Sequence, residues 1–172
     1  MREHLHTARL EKLGITQEHL DQCMMPQHHE TKDLVESERD IFDRPQLMTP
    51  LTLDHWHQMK LSAAQDGVTL QLVSAFRSIE YQCNIISKKL DKGQLINDIV
   101  KVSAIPGFSE HHTGRALDLS TPEYTPLEET FETSNAFSWL TENAASYNFY
   151  LSYPRNNKEN IIYEPWHWFF WN

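Results

Sequence analysis

The stretch that most constrains this chain is Ser109–Leu119, which reads SEHHTGRALDL. Among its residues are a histidine, His111, and a carboxylate, Asp118, on either side of Gly114. The segment Arg115–Leu119 alternates as a β-strand does, so Asp118 faces the opposite side from the leucines that flank it. A loop histidine and a strand carboxylate separated by a glycine turn can converge on one metal ion.

A third ligand is available near the end of the chain, where residues 163–168 read YEPWHW. Two histidines and one aspartate, with a fourth position left open, form a ligand set that suits a catalytic zinc ion. Glu164, three residues before His167, is placed to take a proton from an attacking water. We therefore predict that Zn²⁺ is held by His111, Asp118 and His167, with Glu164 as the general base.

This prediction carries a condition on the local backbone. In a straight strand Glu164 and His167 would face opposite sides, because three is an odd spacing. Both side chains have to reach the same centre. We therefore expect Pro165 to lie at a bend or bulge, or at the first residue of the strand.

Three motifs occur in the order S-x-x-R-S, S-x-H-x-x-G-x-A-x-D and E-x-W-H. They are matched, in turn, by Ser74, Arg77 and Ser78; by Ser109, His111, Gly114, Ala116 and Asp118; and by Glu164, Trp166 and His167. Together they resemble the VanY-type D-alanyl-D-alanine carboxypeptidases and LD-carboxypeptidases, zinc peptidases that cut peptidoglycan peptides. The resemblance runs from about Ser74 to His167, with no departure at a ligand position.

Further residues are predicted to belong to the site, and for Arg77 and Ser109 the resemblance implies the role. Arg77 would share with zinc the negative charge that builds on the carbonyl oxygen under attack. Ser109 would lie on the substrate-binding side of its motif, and the alternative is that its hydroxyl only holds the loop by a hydrogen bond to the backbone. Gln82, one turn beyond Arg77, would orient that arginine or contact the substrate. Trp166 would wall the pocket, with core packing as the alternative.

Other histidines have simpler interpretations. His112 is adjacent to a predicted ligand and should point away from it, so we assign it no role. His28 and His29 lie in a polar connection and are expected to be solvated. His55 and His57 flank a core tryptophan on a predicted helix and should lie at its surface or rim.

Composition limits the partners. The net charge of −9 gives no basic footprint for nucleic acid or anionic lipid. The first residues, MREHLHTARLEKLG, contain no apolar run of the kind found in secretory signals or membrane anchors, so we expect a cytoplasmic protein. Cys23 and Cys83 lie outside the zinc motifs and are expected to be free thiols.

The predicted elements and the resemblance together imply an α+β fold, with a small, mostly antiparallel sheet that bears the zinc site and helices packed on its other face. Helices are predicted over 2–13 (with Leu5, Ala8, Leu10 and Leu13 available for burial), from Thr16, over 51–65, from Ser78 to about 90, and from Thr133 or Ser134. Strands are predicted near 34–35 and over 68–76, 115–119, 149–153 and 161–171. Residues 91–107 are predicted to be a mixed connection.

We expect one zinc peptidase domain over residues 1–172, with 1–48 as an N-terminal helical extension that carries no assigned motif and 49–172 as the catalytic core. The expected substrate is a peptidoglycan stem peptide that ends in D-Ala. An L,D-carboxypeptidase acting on soluble tetrapeptide muropeptides during murein recycling fits a cytoplasmic location. The alternatives are a D,D-carboxypeptidase or D-Ala-D-Ala dipeptidase, a phage-type endopeptidase, and a non-catalytic module that binds zinc and peptide.

Overall fold

A computed structural model describes residues 4–172 of the chain, and its side chains from residue 8 onward. Six α-helices occur in the described part. They are α1 (His4–Lys12), α2 (Gln17–Gln22), α3 (Pro50–Gln65), α4 (Ile79–Asp91), α5 (Ile96–Val102) and α6 (Asn135–Asn143). Short 3₁₀ turns occupy Glu110–Thr113, Glu129–Thr133 and Ala144–Tyr147.

The strands form two antiparallel sheets. They are β1 (Val35–Arg39), β2 (Pro45–Met48), β3 (Gln71–Ser74), β4 (Ala116–Ser120), β5 (Phe149–Leu151) and β6 (His167–Phe170). β1 and β2 pair as a hairpin, and the other four strands form a sheet in the order β3-β4-β6-β5. The predicted α+β class with a small antiparallel sheet is confirmed.

The long helices begin where the sequence places capping residues. The hydroxyls of Thr49, Ser78 and Ser134 each accept a hydrogen bond from a backbone N–H in the first turn of α3, α4 and α6. Such a cap satisfies one of the free donors at a helix start and contributes about 1 kcal/mol. These three predicted helices are confirmed, as is the short helix after Thr16.

One face of the four-stranded sheet is the larger hydrophobic core. Leu117 and Leu119 of β4 lie on this face beside Trp168 and Phe170 of β6, all at most 4% exposed. They join a cluster with the buried residues of α3 and α6, among them Trp56, Met59, Trp139 and Leu140. Each large side chain buried in this way contributes roughly 1.5–3 kcal/mol. α3 and α6 therefore cover the face opposite the predicted zinc site.

A second cluster joins the N-terminal segment to α4 and α5. Leu10, Ile15 and Met25 pack there with Ile86 and Ile99, and all five are buried. The backbone that follows runs beside the central motif, where the Thr31 N–H donates to the carbonyl of His112 at 2.9 Å. The N-terminal segment thus packs against the elements that carry the site.

Several element predictions were wrong. Residues 91–107 were predicted to be a mixed connection but contain α5. This helix buries only one side chain, Ile99, so its sequence shows no helical period. β2 was not predicted because its four residues alternate for only two periods. The last strand begins at His167 rather than at 161, and the segment before it is irregular.

At the N-terminus, α1 (His4–Lys12) lies within the predicted range 2–13, and the prediction for residues 2 and 3 falls outside the described residues. Leu10 is buried there and Ala8 is exposed, while the prediction for Leu5 falls outside the described side chains. Within residues 4–172, no helix combines the length and apolar character needed to cross a membrane.

Candidate metal centre and catalytic pocket

The pairing of β4 with β6 brings two of the predicted ligands together. Asp118 lies directly opposite His167 in the antiparallel register, so both side chains share the face away from the large core. Asp118 Oδ1 is 3.1 Å from His167 Nδ1 and 3.2 Å from His111 Nε2. One ligand atom from each of the three buried residues lies within 4.8 Å of the others. The structure therefore gathers the three predicted ligands into one cluster.

The His111 imidazole is held in the tautomer that a metal needs. Its Nδ1 lies 2.6 Å from the carbonyl oxygen of Ala75, which can only accept, so Nδ1 carries the proton and donates it. Nε2 is left with its lone pair facing Asp118. Burial, reinforced by the charge of Arg77, lowers the pKa of His111 to about 4. The ring is thus neutral at physiological pH.

Gly114 explains why the motif needs a glycine at this turn. Its φ is +67°, in the left-handed region. A Cβ atom there would lie 2.9 Å from Leu34 Cδ2 and 3.2 Å from Cγ2 of both Thr31 and Thr49. The turn that ends the 3₁₀ segment of His111 and starts β4 therefore admits no side chain.

His167 faces Asp118 with Nδ1, whereas His111 faces it with Nε2. His167 Nε2 lies 2.8 Å from Glu110 Oε2, which leaves Nδ1 facing Asp118. Burial alone would lower the pKa of His167, but hydrogen bonds to Asp118 and Glu110 outweigh it and raise the pKa to about 10. A metal ion bound at Nδ1 would displace the proton that Nδ1 shares with Asp118, because a ring nitrogen that binds a metal carries no proton.

The donor set fits a metal ion. Burial raises the pKa of Asp118, but His111 and Arg77 outweigh that effect and hold it well below its usual value, so the carboxylate is ionised. The nitrogens of His111 and His167 that face it are the ones not held by the Ala75 carbonyl and by Glu110. Two imidazoles and one carboxylate on a buried, pocket-facing cluster are the donors that zinc takes in open sites.

Glu164 approaches the cluster from a turn. The His167 N–H donates to the Glu164 carbonyl at 3.1 Å, and Pro165 lies within this turn, so the predicted bend is confirmed. Glu164 Oε2 is 3.7 Å from His167 Nδ1. Burial raises the pKa of Glu164 to about 7, and the neighbouring Asp118 charge adds to it. A carboxylate with that pKa is suited to exchange protons at neutral pH.

Arg77 supplies the positive charge of the site. Its Nη2 contacts both Asp118 Oδ2 and His111 Nε2, and its Nε donates to Ser74 Oγ at 3.2 Å. The Arg77 side chain is 19% exposed and lines the pocket. Arg77 therefore contacts the predicted ligand atoms from the side of the pocket.

His112, to which no role was assigned, holds this arginine in place. Its Nδ1 lies 2.7 Å from the Arg77 carbonyl, and its Nε2 accepts the Gly107 N–H at 3.1 Å. Both nitrogens are thus satisfied within the fold. Through the Arg77 carbonyl, His112 links the loop of His111 to the segment that follows β3. This role could not be predicted from its position next to a candidate ligand.

The remaining predicted residues line the same pocket. The Ser109 hydroxyl accepts the His111 N–H at 3.4 Å. Gln82 donates from Nε2 to the Ala104 carbonyl at 2.8 Å rather than to Arg77, and its Oε1 has no hydrogen-bond partner within residues 4–172. Trp166 is 7% exposed and belongs to the large core as well as to the pocket wall.

Two cavities meet beside the cluster. The inner one, of about 100 Å³, is bounded by Arg77, Glu164 and the two candidate histidine ligands. The outer one, of about 410 Å³, lies between α2, α5 and residues 159–161. Met25 and Ile161 line both cavities, so the outer cavity is adjacent to the inner one.

Comparison with known proteins agrees with this geometry. The sequence profile of the family VanY, described as D-alanyl-D-alanine carboxypeptidase, matches residues 45–172. The chain belongs to the VanY family. The match covers both motifs that carry the candidate metal ligands, and it begins at residue 45, near the end of the predicted 1–48 extension.

Individual relatives cover different parts of the molecule. YodJ of Bacillus subtilis (strain 168), assigned as a carboxypeptidase, is 37% identical over 111 residues, which is 62% of this chain and 40% of that protein. The chain thus spans less than half the length of this relative. The LdcB LD-carboxypeptidase structure has a TM-score of 0.74 at 28% identity, covering 84% of this chain and 71% of that one.

A third comparison concerns the fold alone. The vancomycin-resistance D,D-pentapeptidase VanY, solved in complex with Zn(II), superposes with a TM-score of 0.63 at 21% identity, covering 87% of this chain and 88% of that one.

Proposed function

We propose that this protein is a zinc-dependent carboxypeptidase that removes a terminal D-Ala from peptidoglycan stem peptides. The observation that carries the proposal is the convergence of three ligand atoms, a carboxylate with a pKa near 7 and a guanidinium on one pocket. Membership of the VanY family and the Zn(II) complex of the structural relative support the choice of metal and reaction.

In the proposed reaction His111, Asp118 and His167 hold the zinc ion. When bound, zinc supplies a Lewis acid that polarises the carbonyl and acidifies water. Glu164 takes a proton from the attacking water and delivers it to the amine of the departing D-Ala. Arg77 donates hydrogen bonds to the carbonyl oxygen as its negative charge develops, a contribution of about 3–4 kcal/mol for one positioned donor.

The two cavities suggest how the substrate lies. The inner cavity holds roughly three water molecules' worth of volume, enough for one small residue such as the terminal D-Ala. Ser109, Gln82 and Trp166 are the proposed substrate contacts there, and the free Gln82 Oε1 is an acceptor for a peptide N–H. We propose that the rest of the stem peptide continues into the outer cavity, whose volume is typical of small-molecule sites.

We propose the L,D-carboxypeptidase reaction on tetrapeptides first. The relative LdcB, at 28% identity over most of this chain, is an LD-carboxypeptidase. D,D-cleavage of a pentapeptide is the second candidate, because the family description names D-alanyl-D-alanine carboxypeptidase. The pocket residues named above serve either reaction, so the bond preference needs a direct test.

The experiment is mass spectrometry of a free disaccharide-tetrapeptide and a disaccharide-pentapeptide after incubation with zinc-loaded protein. We expect loss of one alanine from the tetrapeptide, abolished by a chelator and by Glu164→Gln. Loss from the pentapeptide alone would move the assignment to D,D-cleavage. If neither peptide is cleaved but both bind, the protein is a non-catalytic module, and cleavage of intact sacculi alone would point to an endopeptidase.

A second measurement tests the placement of the peptide. Val100 lines the outer cavity but not the inner one, so Val100→Trp should fill the first and spare the second. We expect KM for the tetrapeptide to rise about tenfold, while KM for a minimal acyl-dipeptide ending in D-Ala stays unchanged. The exposed Leu61, remote from either cavity lining, provides the control Leu61→Trp. Equal KM changes for both substrates would contradict the placement.

The recycling role and the cytoplasmic location stay predictions. Fractionation of cells that express the full-length native gene product, followed by immunodetection, would test the location. Accumulation of soluble tetrapeptide muropeptides in a deletion strain would test the role.

A further inference from the structure

A carboxylate that no sequence motif singled out lies behind one of the candidate ligands. Glu110 Oε2 is 2.8 Å from His167 Nε2, on the side of the ring opposite the cluster. The same oxygen accepts the Ser152 hydroxyl at 2.6 Å. The Glu110 side chain is only 13% exposed, so its two hydrogen bonds are largely sheltered from water.

This contact decides which nitrogen of His167 faces the metal position. An imidazole has two nitrogens, and the one that donates to a carboxylate cannot bind a metal. Because Nε2 is occupied by Glu110, Nδ1 is turned toward Asp118. A carboxylate behind a ligating histidine fixes the ring orientation and raises the basicity of the ligating nitrogen.

The backbone makes Glu110 a stable support. Glu110 is the first residue of the 3₁₀ turn that carries His111, so one turn supplies a ligand and the support of another. Ser152 follows β5, the strand that pairs with β6 on the side away from β4. The bond from Ser152 to Glu110 therefore links the sheet edge to the loop across His167.

We propose that Glu110, held by Ser152, is a positioning residue that presents Nδ1 of His167 to the metal ion. The inference rests on the proposed zinc site but not on the substrate. Glu110 is absent from the lining of the inner cavity, so it acts through His167 rather than on the peptide.

The test measures zinc affinity, without any peptide, by competition with a chromophoric chelator. We expect Glu110→Ala to weaken zinc binding about 10- to 100-fold. Glu110→Gln should weaken zinc binding less, because its amide oxygen can still accept a hydrogen bond from His167 Nε2. Ser152→Ala should weaken zinc binding least. Glu142→Ala, at an exposed glutamate on α6, is the matched control with wild-type affinity.

Cobalt substitution adds a signature that a general loss of stability would not change. We expect the visible absorption bands of the Co²⁺ protein to shift in Glu110→Ala and to return toward wild type in Glu110→Gln. Unchanged zinc affinity and unchanged cobalt bands in Glu110→Ala would overturn the proposal. If Glu110→Ala fails to fold by circular dichroism, wild-type zinc affinity in both Glu110→Gln and Ser152→Ala would overturn it instead.

The two proposals fail separately. A protein that binds zinc with the expected order of affinities but cleaves no stem peptide refutes the proposed function and leaves the role of Glu110 standing. A protein that cleaves the tetrapeptide but binds zinc equally well in all the variants refutes the role of Glu110 alone.

Discussion

The two faces of the sheet formed by β4 and β6 are built from the same strands and have opposite character. On one face Leu117, Leu119, Trp168 and Phe170 pack into the large core. On the other, Asp118 and His167 are just as buried but carry charge and hydrogen-bonding groups. Alternation of successive residues along a strand is enough to separate the two environments by the thickness of one sheet.

The difference shows where stability and reactivity reside. Burying an apolar side chain stabilises the fold directly. Burying a carboxylate or an imidazole costs free energy unless each polar atom finds a partner, and here the partners are mostly one another. The polar face is therefore a costly arrangement that the apolar face offsets. Changes to the two faces should consequently affect different observables.

The largest effect is expected from His167→Ala on the polar face. Loss of one of three ligands should remove stoichiometric zinc and lower chelator-sensitive turnover by at least about 10³-fold, since both the metal and the orientation of the site depend on it. Metal content by mass spectrometry and turnover of the cleaved peptide are the measurements. His57→Ala, at an exposed histidine on α3, is the control. Full zinc content in His167→Ala would contradict the assignment of His167 as a zinc ligand.

Leu117→Ala is the matching change on the apolar face, one residue away from Asp118. Leu117 is fully buried, so truncation should lower the free energy of unfolding by about 2–5 kcal/mol. We expect kcat of the folded protein and its zinc content to remain within about twofold of wild type. Denaturant unfolding and turnover at low temperature measure the two quantities, with Leu61→Ala at an exposed position as the control. A loss of zinc without a loss of stability would show that the faces are coupled.

The smallest effect concerns Glu164, whose pKa in the folded protein is raised from 4.5 to about 7. Below pH 4.5 the carboxyl is protonated in both states, and as the pH rises toward 7 only the unfolded state ionises, so stability falls. In chelated protein Glu164→Gln should therefore be more stable than wild type at pH 8, by on the order of 2–3 kcal/mol, but not at pH 4. Thermal unfolding at the two pH values tests this, with Glu142→Gln as the control. A pH-independent difference would contradict the raised pKa.

Much of this site could be predicted from local sequence because its parts are local. The turn at Gly114 and the strand after it are set by conformational limits within a few residues. The bend at Pro165 follows from the need of Glu164 and His167 to reach one centre. The long helices α3, α4 and α6 carry caps and apolar periods of their own. The short elements β2 and α5 carry too few periods to be recognised.

The residue types that could bind a metal, their order along the chain and the strand face of Asp118 could all be predicted from local sequence. Which nitrogen of each histidine faces the candidate metal position depends on contacts between distant segments. The choice of Nε2 in His111 and Nδ1 in His167 depends on Ala75 and Glu110, partners that lie far along the chain from the rings they orient. Hydrogen bonds between distant segments have no period or spacing in the sequence. They exist only once the sheet has brought those segments within 3 Å of each other.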